Sequence, residues 1–182
     1  MGKRPLVRRR GRGGMQFRAA VTGKLKPAKY PGFGLYDNHE GEIIDLVHET
    51  GRDVPLSKVR FQDGSISFIP AILGTKVGSK IEFGLESEVK DGNVISIQNI
   101  PDGTIVCNVE KQFGDGGALI KSAGGNATVF SHTDDGVVLK LASGKFTKLN
   151  PKNRAMIGTL AGGGVRDRPL MRAGVAWRRF RS

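Results

Sequence analysis

Residues 99–154 hold apolar runs too short for helices, each closed by a dipeptide suited to a tight turn. Runs at 127–131, 137–142 and 145–149 are separated by Asp135-Gly136 and Ser143-Gly144, both of which favour two-residue hairpins. Ahead of them lies a glycine-dense stretch, 113–126, inside which the segment 111–121 reads as one long loop with Lys111 and Lys121 at its ends. Such a pattern demands short antiparallel strands. Glycine, at 27 of 182 residues, is about twice its usual share. Apolar residues make up only 38%, few for one large core. Together these favour two small β-barrels over a helical bundle, so the expected class is all-β.

The earlier half fits that reading. An apolar-rich strand at 42–49 is followed by the turn Thr50-Gly51-Arg52-Asp53. Residues 58–62 and 65–69 alternate with period two on either side of Asp63-Gly64, the best hairpin in the chain. Further strands are expected at 80–83 and 94–97, and the set fits a small Greek-key barrel of the OB type over 37–98. Pro101-Asp102-Gly103 marks the passage to a second barrel, 99–164, which opens with a strand at 104–109 and closes with one at 154–160. Residues 169–173 have room for a turn or two of helix before Gly174.

Charge is distributed in blocks. Residues 1–36 carry ten Lys and Arg and no acid, residues 165–182 carry six Arg against one Asp, and the body between them has a net charge of −3 within a total of +12. Two basic ends around a near-neutral body describe arms that lie on a polyanion while the barrels dock. The first arm, 1–36, has no apolar period and is broken by Pro5, Pro27 and Pro31, so it is expected to be extended and disordered until bound. Removing it should flatten the salt dependence of binding and leave the barrels folded. Arginine predominates in the clusters: its planar fork grips phosphate with two hydrogen bonds and stacks on bases. The candidate RNA contacts in the first arm are Lys3, Arg4, Arg8, Arg9, Arg10, Arg12 and Arg18. In the basic C-terminal segment, 165–182, they are Arg166, Arg168, Arg172, Arg178, Arg179 and Arg181, with Trp177 as a base-stacking ring or a packing residue. Engagement of about eight phosphates would give a log–log salt slope of roughly −6 to −7.

Other chemistries find little support. No run approaches the ~18 apolar residues of a membrane span, and no apolar segment follows the N-terminal arginines as a secretory signal would require. The single cysteine, Cys107, has no disulfide partner within the chain and is expected to be a small buried residue. His39, His48 and His132 are far apart, with no ligand spacing for a metal and no nucleophile in a recognisable motif. No catalytic residue, metal or cofactor is therefore assigned. The glycines of 114–125 lack the Gly-Lys-[Ser/Thr] ending of a nucleotide-binding loop. Two readings fit them equally: close approach of backbone N–H groups to RNA phosphates beside Lys111 and Lys121, or turns that need positive φ.

Several separate blocks carry a family likeness. Asn99-Ile-Pro-x-Gly-Thr-x-Val-x-Asn-Val-Glu110, Gly116-Gly-x-Leu-x-Lys-Ser-Ala-Gly124, Leu141-x-Ser-Gly144 and Asn153-Arg-Ala-x-Ile-Gly158 resemble the universal large-subunit ribosomal protein L two family. The opening Met1-Gly-Lys-Arg4 with Phe17-Arg-Ala19, and Ala161-Gly-Gly-Gly-Val-Arg-Asp-Arg-Pro-Leu170, are similar to its archaeal and eukaryotic branch. The resemblance implies an OB-like barrel followed by an SH3-like barrel, with extended basic N- and C-terminal arms threading between helices of large-subunit rRNA. It implies contacts at Arg52, in the turn after the first core strand, and at Lys121, where the family has arginine; Arg154, at the start of the last strand, is a further candidate RNA contact.

The implied partners are large-subunit rRNA, neighbouring large-subunit ribosomal proteins, and the small subunit at the intersubunit face, with no membrane and no small-molecule substrate. The implied location is the cytoplasmic large subunit, supporting subunit association, tRNA binding and the peptidyl-transferase region. The family continues with a glycine- and histidine-rich loop and a long basic extension, which on this reading would begin where the chain stops at Ser182. The rival reading is a free translation or RNA-maturation factor built from the same two barrels, which would sediment apart from ribosomes. A histidine-dependent enzyme is the other, and would lose its turnover in His132→Ala.

Overall fold

The computed structural model describes residues 2, 5–18, 21–33, 38–85 and 87–181, with the side chains of 6, 9, 16, 166 and 179–181 left out. Among these residues, ten strands form one continuous sheet: β1 (His39–Val47), β2 (Leu56–Phe61), β3 (Ile66–Pro70), β4 (Lys80–Phe83), β5 (Val94–Ser96), β6 (Ile105–Cys107), β7 (Ala127–Thr133), β8 (Gly136–Leu141), β9 (Phe146–Leu149) and β10 (Arg154–Ile157). Their spatial order is β3-β2-β1-β4-β5-β10-β6-β7-β8-β9. Every pairing is antiparallel except the single parallel contact of β4 with β5 at Phe83 and Val94. The all-β expectation holds, and most strands lie within a residue or two of where alternation and turn dipeptides put them.

The sheet encloses two apolar cores. One gathers Ile43, Val59, Phe61, Ile69, Ile81 and Phe83 with Val94, Cys107, Met156 and Leu160. The other gathers Val109, Ala127, Val129, Val137, Leu139 and Leu149 with Ile95, Val106, Ala155 and Ile157. Strands β5, β6 and β10 are a wall common to both. Because successive side chains in a strand point to opposite faces, Val94 faces one core and Ile95 the other. Val106 and Cys107 divide in the same way, as do Met156 and its neighbours Ala155 and Ile157. All four residues of β10 are buried, the signature of a strand covered on both sides. The segments 37–98 and 99–164 thus each contribute strands to the core of the other.

Two expectations are corrected. The last strand stops at Ile157 rather than at residue 160, because Gly158 turns away with φ +109°; Leu160 returns only as a bridge to Ile72. The C-terminal helix, α2, spans Ala173–Arg181 and runs through Gly174 instead of ending before it. One glycine costs a helix about 1 kcal/mol, which Ala176 and the arginines that follow, all good helix formers, outweigh.

The N-terminal segment also departs from a free arm. A short helix α1 covers Leu6–Arg10 and a 3-10 turn covers Met15–Phe17. Beyond these, residues 23–33 are built into the body. Ala28 and Tyr30 are buried, and Tyr30, Phe33, Phe61 and Phe83 pack edge to face with ring centroids 4.9–6.4 Å apart. Removing 1–36 would therefore take two aromatic rings, Tyr30 and Phe33, away from the first core, so this deletion is expected to destabilise the barrels rather than leave them folded.

Candidate nucleic-acid interface

Residues 23–33 form a strap that crosses from one half of the sheet to the other. At its start, the Thr50 N–H donates to Gly23 O (3.1 Å) and the Leu25 N–H to the Glu49 carboxylate (3.3 Å). Glu49 is buried in the turn after β1 and is also ion-paired with Arg52. The Arg52 hydrogen bond, helped by the Leu25 amide and by Lys24 and opposed by burial, holds the Glu49 carboxyl below the usual glutamate range. In mid-strap, Lys121 Nζ donates to Ala28 O (2.7 Å) and to Gly117 O (2.9 Å), and the Tyr30 N–H donates to Gly116 O (3.0 Å). The Lys29 stem lies flat on Gly116. A Cβ there would come within 2.7 Å of Lys29 Cβ, and its φ of +80° also requires glycine.

The strap ends on Arg154. Its Nη1 donates to Pro31 O (3.3 Å) and Phe33 O (3.4 Å), while Nη2 and Nε grip Glu110 at 2.7 and 3.2 Å. Glu110 is fully buried and also accepts the N–H groups of Arg154 and Gly116, each at 3.0 Å. Tyr30 and Phe113 flank the guanidinium, with centroids at 5.6 and 5.4 Å. Arg154, expected at the RNA surface, is 5% exposed and has its donors committed inside the protein.

The loop 111–121 is likewise organised from within. Asp115 accepts the N–H groups of Lys111, Gln112 and Gly117 at 2.8–3.2 Å. Gly114, Gly116, Gly117 and Gly124 all have positive φ. The amides of Gly116 and Gly117 point at carboxylates of the protein, so the positive-φ reading of these glycines accounts for them. Ile120 adopts φ +56°, a costly conformation for a β-branched residue. It sits immediately before Lys121, and packs on both cores.

A cluster of cations gathers at this crossing. Lys121 feels both Arg52 and Lys29, and Lys24 acts on Glu49 beside them. Burial first, then Arg52 and Lys29, push the Lys121 ammonium below the usual lysine range, with Asp115 opposing. The C-terminal segment departs from the same place. A Cβ on Gly162 would lie 2.7 Å from Asp53 O, and one on Gly124 would lie 2.9 Å from Gly163 Cα, so residues 161–164 leave the body against the Arg52 turn and the 122–125 loop. Both basic segments are thus rooted beside Arg52 and Lys121.

The remaining expected contacts are spread outward. Arg8, Arg10, Arg12, Lys111, Arg168, Arg172, Trp177 and Arg178 are exposed. Arg18 is exposed and donates from Nε to Gly13 O at 2.7 Å. Lys3 and Arg4, with the side chains of Arg9, Arg166, Arg179 and Arg181, lie outside the described residues. His132 sits 2.7 Å from Asp102 and 3.3 Å from Ile97 O, while His39 stacks on Phe33. Among the described residues no group of three or more His, Cys, Asp or Glu side chains is arranged to hold a metal. Sequence reasoning missed Glu110, Tyr30 and the placement of Lys24 and Lys29. A carboxylate directly after the apolar strand at 104–109 was the available signal for Glu110.

Comparison with known proteins decides the family. The model for the Ribosomal Proteins L2, C-terminal domain matches residues 90–181. The large ribosomal subunit protein uL2 of Cenarchaeum symbiosum (strain A) is 73% identical over all 182 residues, which cover 75% of that protein. The chain belongs to the uL2 family. The uL2 of Nitrosopumilus maritimus (strain SCM1) is 70% identical across the whole chain and 75% of its own length. That of Sulfurisphaera tokodaii is 40% identical over 96% of the chain and 72% of its own length. In uL2 terms, the two positions singled out by family likeness, Arg52 and Lys121, come from opposite halves of the sheet and meet beneath one strap.

Proposed function

We propose that this chain is a structural constituent of the large ribosomal subunit that binds and stabilises rRNA, and that the Arg52–Lys121 crossing is the anchor of that contact. The observation that carries this reading is the convergence of Lys24, Lys29, Arg52 and Lys121 where both basic segments leave the body. A cation held in a partly buried, like-charged setting gains most when a phosphate arrives, and each neutralised phosphate releases counterions. The arms supply most of the affinity and the crossing supplies register. Arg154 and Glu110 act indirectly, by fixing the strap that carries Lys24 and Lys29. The exposed arginines of 5–18 and 165–178 are the arm contacts, and Lys111 adds a cation at the loop. OB-like and SH3-like assignments for 37–98 and 99–164, neighbouring ribosomal proteins as further partners, and support of subunit association, tRNA binding and the peptidyl-transferase region complete the reading.

Titration of the full chain with large-subunit rRNA over a range of salt concentrations tests it. Arg52→Ala should weaken binding and make the log–log slope shallower by about one. An unchanged affinity and slope in both Arg52→Ala and Lys24→Ala would remove the anchor.

A further inference from the structure

A second surface carries chemistry that the cation cluster does not use. Phe130 on β7 and Phe146 on β9 are each 56% exposed, yet their rings touch edge to face across β8, with centroids 4.9 Å apart at 66°. Both stand on the outer side of the sheet for definite reasons. Phe130 is the unpaired extra residue of a bulge between Val129 and Ser131, the kind of irregularity that re-aims a side chain. Phe146 is opposite in phase to the buried Leu149. In register beside them run Ile105, Thr128, Lys140 and Phe146, one per strand across β6 to β9. Ile105 is 45% exposed and Lys140 is exposed.

We propose that this face is a further RNA contact, in which Phe130 and Phe146 stack on unpaired nucleobases while Lys140 takes an adjoining phosphate. The inference rests on the rRNA-binding reading above. Three features favour a base over a protein partner. In an edge-to-face pair, one ring's edge covers only one face of the other, so open π faces remain, and a flat ring is what an unpaired base stacks on. Strands β7, β8 and β9 contain Lys140 and Lys148 but no acidic residue, so the face complements a phosphodiester chain. Lys148 is held by Asp135 at the hairpin tip, leaving Lys140, paired in register with Phe146, as the cation for that chain. Finally, Thr128, Ser131 and Lys140 interrupt the apolar residues, so the face lacks the continuous apolar centre of a stable protein interface.

The test uses the full chain and two probes: a single-stranded oligoadenylate with one 2-aminopurine, and a fully paired RNA duplex. Phe130→Ala/Phe146→Ala should bind the single strand about tenfold or more weaker, lose the change in 2-aminopurine emission, and keep both the duplex affinity and the salt slope. Phe130→Leu/Phe146→Leu preserves apolar area and folding while removing the flat faces, and should show the same loss. Wild-type affinity and emission change in the Leu pair would overturn the proposal and leave the face to a protein partner. Failure of the unaltered chain to bind either probe would instead remove the underlying rRNA-binding reading.

Discussion

Glu110 and Arg154 form a two-pronged ion pair at the point where the strap, the long loop and the shared wall meet. Neither group is spare: the carboxylate takes four N–H bonds and the guanidinium donates to Glu110 and to two strap carbonyls. Breaking one side leaves an uncompensated buried charge. Glu110→Gln and Arg154→Met should each lower unfolding free energy by about 3–5 kcal/mol, measured by urea denaturation. The double variant should cost clearly less than the sum of the two, because the residues act as one unit.

Tyr30 separates a packing role from a polar one. Its hydroxyl donates to the buried carbonyl of Asn108, and burial, followed by Cys107 and Glu110, raises the phenol well above its ordinary range. Tyr30→Phe keeps the ring and strands that carbonyl, costing about 1–3 kcal/mol. Tyr30→Ala also empties the first core and should cost about 3–5 kcal/mol. Equilibrium unfolding compares the two, and equal losses would contradict the packing described.

Truncation divides the N-terminal segment. Deleting 1–20 should make the salt slope of rRNA binding shallower and leave the melting temperature nearly unchanged, since the strap begins beyond that point. Deleting 1–36 should lower the melting temperature sharply. Calorimetry and salt titration of the two truncations check both halves of the statement.

The Glu49–Arg52 pair gives an acid limb with a definite sign. The folded-state carboxyl of Glu49 lies below its unfolded value. Its stabilisation is therefore complete above the ordinary glutamate range and is lost as pH falls through that range to the lower folded value. Lys121 works at the other end: its folded-state value is depressed, so stability rises as pH climbs from that value toward the ordinary lysine range. Glu49→Gln should flatten the acid limb of a plot of urea midpoint against pH. Lys121→Met should flatten the alkaline limb.

What the sequence makes legible depends on how many bodies each feature involves. Lys80–Phe83 coincides with its expected strand because alternation and flanking turns are local properties. The charge blocks are legible for the same reason. By contrast, β10 reads as one more strand of the second barrel, since Arg154-Ala-Met-Ile does not reveal that Met156 faces a different core from its neighbours. Arg154 reads as a surface cation because the carboxylate that claims it is distant in the chain. Tyr30, set among lysines and prolines, gives no local sign that it fills a core. The aromatic pair on β7 and β9 needs the strand pairing before its two members can be seen as neighbours.

The common wall also sets the order of assembly. Its middle strand, β10, follows both β5 and β6 in the chain, and must slot between them after intervening loops have separated them. Neither half can seal itself from water until Arg154–Ile157 has been synthesised and inserted. The nascent protein should therefore stay protease-sensitive along most of its length and then close in one late, concerted event dominated by sequence-distant pairings.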